Sequence, residues 1–237
     1  MNKIIIAAIV ITLAVAGVGT YLYINVNSLV KEGIETSGEQ VLGVAVSVEE
    51  VQISILSGSG RIKGLRVANP EGYSASDAIT VADIQVVLDL SSLTSDKIIV
   101  KSVVIDAPSI TYETTLLKSN IGELQKRAEA QSANSDSADA TNKNSETNLI
   151  ITNLVIRNST IEVRTPLLKE PISLKMPVLE LNDLGKDEDS SAKEIINKVL
   201  VALNKALLPL ISENVGLGDQ LKDVGEKISE KLKGFFK

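Results

Sequence analysis

Alternation of apolar and polar residues at a period of two is the feature that most constrains this chain. "VLGVAVSV" places Val44, Val46 and Val48 on one face, and "VQISIL" places Val51, Ile53 and Ile55 together. Such runs read as half-buried strands. Glu49 and Glu50 between them shift the parity, which predicts a tight turn or a bulge. The pattern continues with Leu65 and Val67 in "RIKGLRVAN", with Ile84, Val86, Leu88 and Leu90 in "AITVADIQVVLDL", and through "KIIVKSVVIDAP" and "SITYET". Breaks of Gly, Pro, Asn or Ser-Asp separate these runs, so the expectation is an antiparallel meander. No long helical period interrupts them, which argues against a parallel α/β fold. Aromatic residues are 3% of the chain, so its core must be Val, Ile and Leu, which suit a pleated sheet.

At "NIGELQKRAEAQ" the period becomes helical, and Asn120 with Glu123 has capping-box spacing. The segment 131–148, "QSANSDSADATNKNSETN", has no large apolar residue and reads as a disordered linker or loop. Strands resume with Leu149, Ile151, Leu154, Ile156, Ile161 and Val163, then Ile172, Leu174, Met176 and Val178 with Leu179 and Leu181. Pro171 and Pro177 place the last of these at an edge or a bulge. Ser191 and Glu194 predict a second capping box, opening a helix that runs to about Pro209 with a broad apolar face. A last helix carries Leu217, Leu221, Val224, Ile228, Leu232 and Phe235 in a narrow stripe, with Phe235 and Phe236 among lysines.

The N-terminal stretch has no charge between Lys3 and Lys31. Its apolar part, Ile4 to Ile24, is about 20 residues, which at 1.5 Å rise matches a ~30 Å hydrocarbon core. Tyr21 and Tyr23 stand where an interfacial aromatic belt would lie. Lys3 favours an N-terminus inside and a body outside. Ala8, Thr12, Ala16 and Thr20 form a small-residue face suited to close helix approach. A cleaved signal peptide ending at Ala16 is the competing reading, opposed by apolar character that continues past the cut.

Histidine and cysteine are both absent. That excludes Cys- and His-based metal sites, Ser-His-Asp and Cys-His nucleophiles, and disulfides. With 24 Lys+Arg against 30 Asp+Glu and no basic stripe, no nucleic-acid partner is expected. "GSGRIKG" lacks the spacing of a nucleotide-binding loop. The carboxylates show no distinctive clustering, so no catalytic residue, cofactor or metal ligand is assigned and a non-enzymatic role is expected.

The assembled order resembles the N-terminal module of AsmA-like proteins of Gram-negative bacteria. The residues that carry the resemblance are Gly60, Leu65, Asn69, Pro70, Gly72 and Tyr73, the "DLSSL" segment at 89–93, "IVKSVVIDAPSITYE" at 99–113, and "SNIGEL" at the start of the following helix. It covers residues 1–127 well and the remainder loosely. It implies a bacterial inner-membrane anchor with a β-rich body in the periplasm, and kinship with larger lipid-bridging proteins. With at most two such β units, this chain is too short to bridge two membranes alone. The family pattern carries no catalytic residues to transfer.

The resulting expectation is an α+β fold: an N-terminal transmembrane helix, then antiparallel meander sheets of curved-groove type, then amphipathic C-terminal helices. The divisions are an anchor (1–30), a β-rich module ending in a helix (31–130), the linker (131–148), a second set of strands (149–185) and two helices (186–237). Membrane lipid is the expected partner, handled through an apolar groove built from Val51, Ile53, Ile55, Leu65, Val67, Ile84, Val86 and Leu88. Taken singly, each of those residues reads more readily as plain core covered by the C-terminal helices. Leu221, Val224, Ile228, Phe235 and Phe236 would cover the groove or touch the membrane. The alternative is a scaffold that holds an envelope protein through its sheet edge or anchor, or self-associates through the anchor.

Overall fold

The computed structural model describes residues 25–115, 118–135, 148–166, 168–186 and 190–215. Helix α1 occupies 25–42 and ends at Gly43, whose φ of 62° lets its N–H reach back to the Glu39 carbonyl at 2.8 Å. Strands β1 (Val46–Ser47), β2 (Glu50–Ser54), β3 (Ser59–Ala68) and β4 (Asp77–Leu88) follow. A 3-10 turn (Leu90–Thr94) leads into β5 (Lys97–Asp106) and β6 (Ser109–Glu113). Helix α2 (Asn120–Ser135) then precedes β7 (Asn148–Arg157), β8 (Thr160–Arg164), β9 (Ile172–Lys175) and β10 (Leu179–Leu184), and α3 (Ala192–Val215) closes the described chain.

All the strands belong to one 10-stranded sheet. The register shows that several are halves of longer strands. β1 and β2 face β3 in one unbroken register, from Val46 opposite Val67 to Ser54 opposite Ser59. β5 and β6 share one register against β4 across the break between them, with Asp106 opposite Asp83 and Ser109 opposite Thr80, and the register shifts only at the far end, between Val87 and Leu88. β7 and β8 run parallel to them, with Arg157 opposite Asp106 and Thr160 opposite Ser109. β9 and β10 return antiparallel, with Lys175 opposite Thr160 and Leu179 opposite Ile156. Six long strands therefore lie side by side: β1–β2, β3, β4, β5–β6, β7–β8 and β9–β10.

Their interruptions line up. Val48–Glu49, Gly64, Ala82, Ala107–Pro108, Asn158–Ser159 and Met176–Val178 fall on one line across the sheet. Three of these residues are in the left-handed region: Gly64 (φ 63°), Ala107 (φ 50°) and Asn158 (φ 57°). A left-handed residue reverses the alternation of a strand without adding a residue to its register. Inward residues are spaced three apart across the crease, about Gly64 in Ile62 and Leu65, and likewise in Val48 and Val51, Val81 and Ile84, and Met176 and Leu179. On both sides of it, complete apolar rows cross the sheet, such as Val46–Val67–Ile79–Ile110–Ile161–Leu174. The Glu49–Glu50 parity break is one station on this line.

The expected fold is corrected in three respects. The sheet is mixed, because β5–β7 and β6–β8 are parallel. A parallel pair needs a crossover connection, and α2 lies within it. Secondly, the sheet is not a curved groove: α2 and α3 pack on the apolar rows, burying Ile121, Leu124, Ile195, Leu203, Leu207 and Ile211 with Ile110, Leu154 and Ile161 in one core. Thirdly, among the described residues, the helix long and apolar enough to cross a membrane is the C-terminal α3. Of its most apolar window 61% is buried inside the protein, so here it serves as a core helix. Residues 1–24, with Ile4, Tyr21, Tyr23 and Ile24, and residues 216–237, with Leu221, Val224, Ile228, Phe235 and Phe236, lie outside the described residues, as does 136–147 of the expected linker.

Two helix ends also differ from expectation. Ser119, not Asn120, caps α2: its hydroxyl accepts from Gly122 N–H at 3.1 Å and its carbonyl from Glu123 N–H at 2.9 Å. Helix α3 opens on the Ser191–Glu194 capping box, with Ser191 N–H donating to Glu194 at 2.8 Å, but it continues through Pro209 to Val215.

Candidate interaction site at the sheet edges

The two edges of the sheet are treated differently. Along the β1–β2 edge runs α1, held by one stripe at four-residue spacing. Asn27 Oδ1 accepts from Ile53 N–H at 2.8 Å, Lys31 Nζ donates to the Glu49 carbonyl at 3.3 Å, and Glu35 Oε1 accepts from Val48 N–H at 2.8 Å. Gly38 lets the helix close on Val46, whose methyls lie 3.0 Å from where a Cβ would stand. Side chains thus satisfy an edge strand's outward backbone groups, which otherwise template pairing with another chain. At the opposite edge, no strand pairs with the outer side of β9–β10 among the described residues. That edge is short and interrupted, with Pro177 between its halves and Asp183 at φ 54°, and Val178 beside the crease is 64% exposed.

The groove candidates do not form one open surface. Val51, Val67 and Ile84 are buried; Ile53, Leu65, Val86 and Leu88 are half-buried; Ile55 is exposed. The buried members act as core beneath neighbouring elements.

The Asn69-Pro70-Glu71-Gly72-Tyr73 segment is a structural clip. Asn120 is fully buried and uses all its amide capacity. Its Oδ1 accepts from Glu113 N–H at 3.0 Å and Ile121 N–H at 2.8 Å. Its Nδ2 donates to the Thr111 carbonyl at 2.7 Å and to Asn69 Oδ1 at 2.8 Å. Asn69 in turn donates to the Ala75 carbonyl at 3.0 Å. The Glu113 carboxylate accepts from the Ser74 and Ala75 N–H groups at 2.7 and 3.1 Å. One asparagine therefore ties the β3–β4 loop to β6 and the start of α2. Gly72 takes φ 92° with open space around its missing Cβ. Burial, then the Glu123 carboxylate, pushes the Tyr73 phenol up to about 12.

Beside the crease, the outer face carries a charged row: Glu50, Lys63, Asp83, Asp106 and Arg157. Asp83 stands opposite Asp106, and each is offset locally. The hydrogen bond from Arg61 holds Asp83 below the usual carboxylate range, and that from Asn158 at 2.7 Å does so for Asp106. Two open concavities lie on the sheet. One, of about 520 Å³, mixes Asn27, Gln52 and Arg61 with Ile53, Val86 and Val87; the other, of about 390 Å³ and mainly polar, is lined by Ser74, Asp77, Glu162 and Arg164. Among the described residues, no group of three or more Asp or Glu is placed to hold a metal ion. No family model and no curated protein matches this chain.

Proposed function

We propose that this chain is a membrane-attached, non-enzymatic scaffold of AsmA-like type. Its body stands in the periplasm, and its open β9–β10 edge receives an extended segment of an envelope protein. The observation that carries this reading is the contrast between the edges: Asn27, Lys31 and Glu35 seal one, and β9–β10 stays unpaired among the described residues. Backbone pairing along a sheet edge supplies affinity, and alternate side chains supply selectivity. Two unpaired runs, Ile172–Lys175 and Leu179–Leu184, separated at Pro177, favour a partner segment that bends at the crease over a straight strand. The membrane attachment draws support from the uncharged stretch between Lys3 and Lys31, and the AsmA-like assignment from the Asn69–Tyr73 clip joined to "SNIGEL".

The test is site-specific photo-crosslinking of the full chain in cells. Probes at Ser173 and Glu180, on the open edge, are expected to trap one protein in stoichiometric yield, and probes at Gln85, mid-sheet, to trap none. Asn182→Pro, which removes an edge donor, abolishes the adduct. Adducts that persist in the proline variant overturn the edge reading. Phospholipid retained stoichiometrically, with no protein adduct, returns the choice to lipid handling.

A further inference from the structure

Seven large hydrophobic side chains are exposed among the described residues, and all but Val178 gather at one end of the sheet. The β2–β3 hairpin carries Ile55 (38% exposed) and Leu56 (90%) at its tip. The 3-10 turn after β4 carries Leu90 (37%) and Leu93 (46%). Gly58 joins the two loops: its carbonyl accepts from Leu88 N–H at 2.7 Å, and a Cβ there would stand 3.1 Å from Leu90 Cγ. Helix α1 meets the same end, because Asn27 bonds Ile53 just before the hairpin, and Leu29 (44%) lies within a turn of Asn27. Scattered exposed leucines need no explanation, but a patch spanning adjacent loops does. At the opposite end, the described β3–β4 loop, 69–76, exposes none.

We infer that this leucine tip is a lipid-contacting surface that rests in the interfacial layer of the membrane. A lipid surface fits better than a protein groove because of what leads into it. The chain enters α1 at this end, directly after the uncharged, strongly apolar stretch Ile4–Ile24. Seating is apolar rather than electrostatic: Asp89, which caps the 3-10 turn, is paired with Lys101 at 3.2 Å, and Ser54, Ser57, Ser59, Ser91, Ser92 and Ser95 supply neutral polar groups around the leucines. The inference rests on the membrane attachment proposed above and not on the open edge.

Because the chain has no cysteine, one environment-sensitive label can be introduced cleanly. The full chain is reconstituted into phosphatidylcholine–phosphatidylglycerol vesicles with labels at Leu56→Cys, Leu93→Cys and, as the far-end control, Glu71→Cys. A tip that lies within about 5–10 Å of the headgroup boundary gives blue-shifted emission at 56 and 93, and quenching by lipid-borne nitroxides at least about twofold above that at 71. Removing phosphatidylglycerol leaves this pattern unchanged. Equal access of an aqueous quencher to all three labels overturns the inference, and so does a blue shift without lipid quenching, which means that protein covers the tip. Failure of the chain to float with vesicles defeats the membrane attachment itself. Floating with a wet tip defeats this inference alone.

Discussion

Asn120→Ala tests the clip that joins loop, strand and helix. The substitution removes an amide that accepts twice and donates twice at a site with no solvent access. It strands the Glu113 N–H and the Thr111 carbonyl, each of which costs about 1–3 kcal/mol when buried unpaired. The better helix propensity of alanine returns about 0.5 kcal/mol. The expected loss is therefore about 1.5–5.5 kcal/mol, a large share of the 5–15 kcal/mol typical of a domain. Urea unfolding of the full chain, followed by circular dichroism, reads it directly. Asn69→Ala removes the far end of the network, and the double variant should show a coupling of about 0.5–3 kcal/mol because the two amides touch. Asn120→Asp keeps both acceptors but sets oxygens against Thr111 O and Asn69 Oδ1. Burial raises the introduced carboxyl's pKa, so the stability it permits is present at low pH and lost as pH rises through that value. Its deficit against wild type should shrink from pH 7 to pH 5. A loss under about 1 kcal/mol for Asn120→Ala, or strict additivity with Asn69→Ala, would refute the assignment.

Other outcomes follow from the same geometry. Ala107→Gly should stabilise the protein by up to about 1 kcal/mol in the same urea assay, since Ala107 is exposed and held at φ 50°; a loss would show that the crease does not strain it. Gly72→Val should cost about 1–3 kcal/mol from backbone strain alone, because its Cβ meets nothing. With no histidine to titrate, the urea midpoint should hold between pH 5 and 8. The lowered carboxyls of Asp83 and Asp106 contribute stability above their unfolded value near 3.8 and lose it as pH falls through the folded one. Stability should therefore decline below about pH 4, and an unchanged midpoint at pH 3 would contradict this.

The sequence made the sheet legible through its alternation and hid how the sheet is assembled. Val44, Val46 and Val48, then Val51 and Ile53, announce strands on either side of a break. The other stations of the crease are single residues with ordinary local meanings: Gly64 reads as a turn, Ala107-Pro108 as a strand end, Pro177 as an edge. Only register across neighbouring strands aligns them. The parallel pairing was missed because α2 is followed by a long polar stretch, so crossover and linker look alike. Helix α1 was missed because Gly33 and Gly38 weaken its propensity, while the stripe Asn27–Lys31–Glu35 has meaning only against an edge strand. Of the candidate site, the edge position of Pro171 and Pro177 was readable. The leucine tip was not, because Ile55, Leu56, Leu90 and Leu93 look like strand ends until the fold leaves them uncovered.

A sheet sealed by a helix along one side can be extended from the other side alone. That fixes stoichiometry before any affinity is considered. A second copy that meets the first across a two-fold axis uses up the growing face, whereas a single partner strand carries a new outer edge forward. Copies of this chain alone therefore stop at two, so a filament built only of such modules cannot propagate. Placed at the end of a longer stack of strands, this chain would act as its terminus, and the helix that closes its far side, α1, would determine where the stack stops.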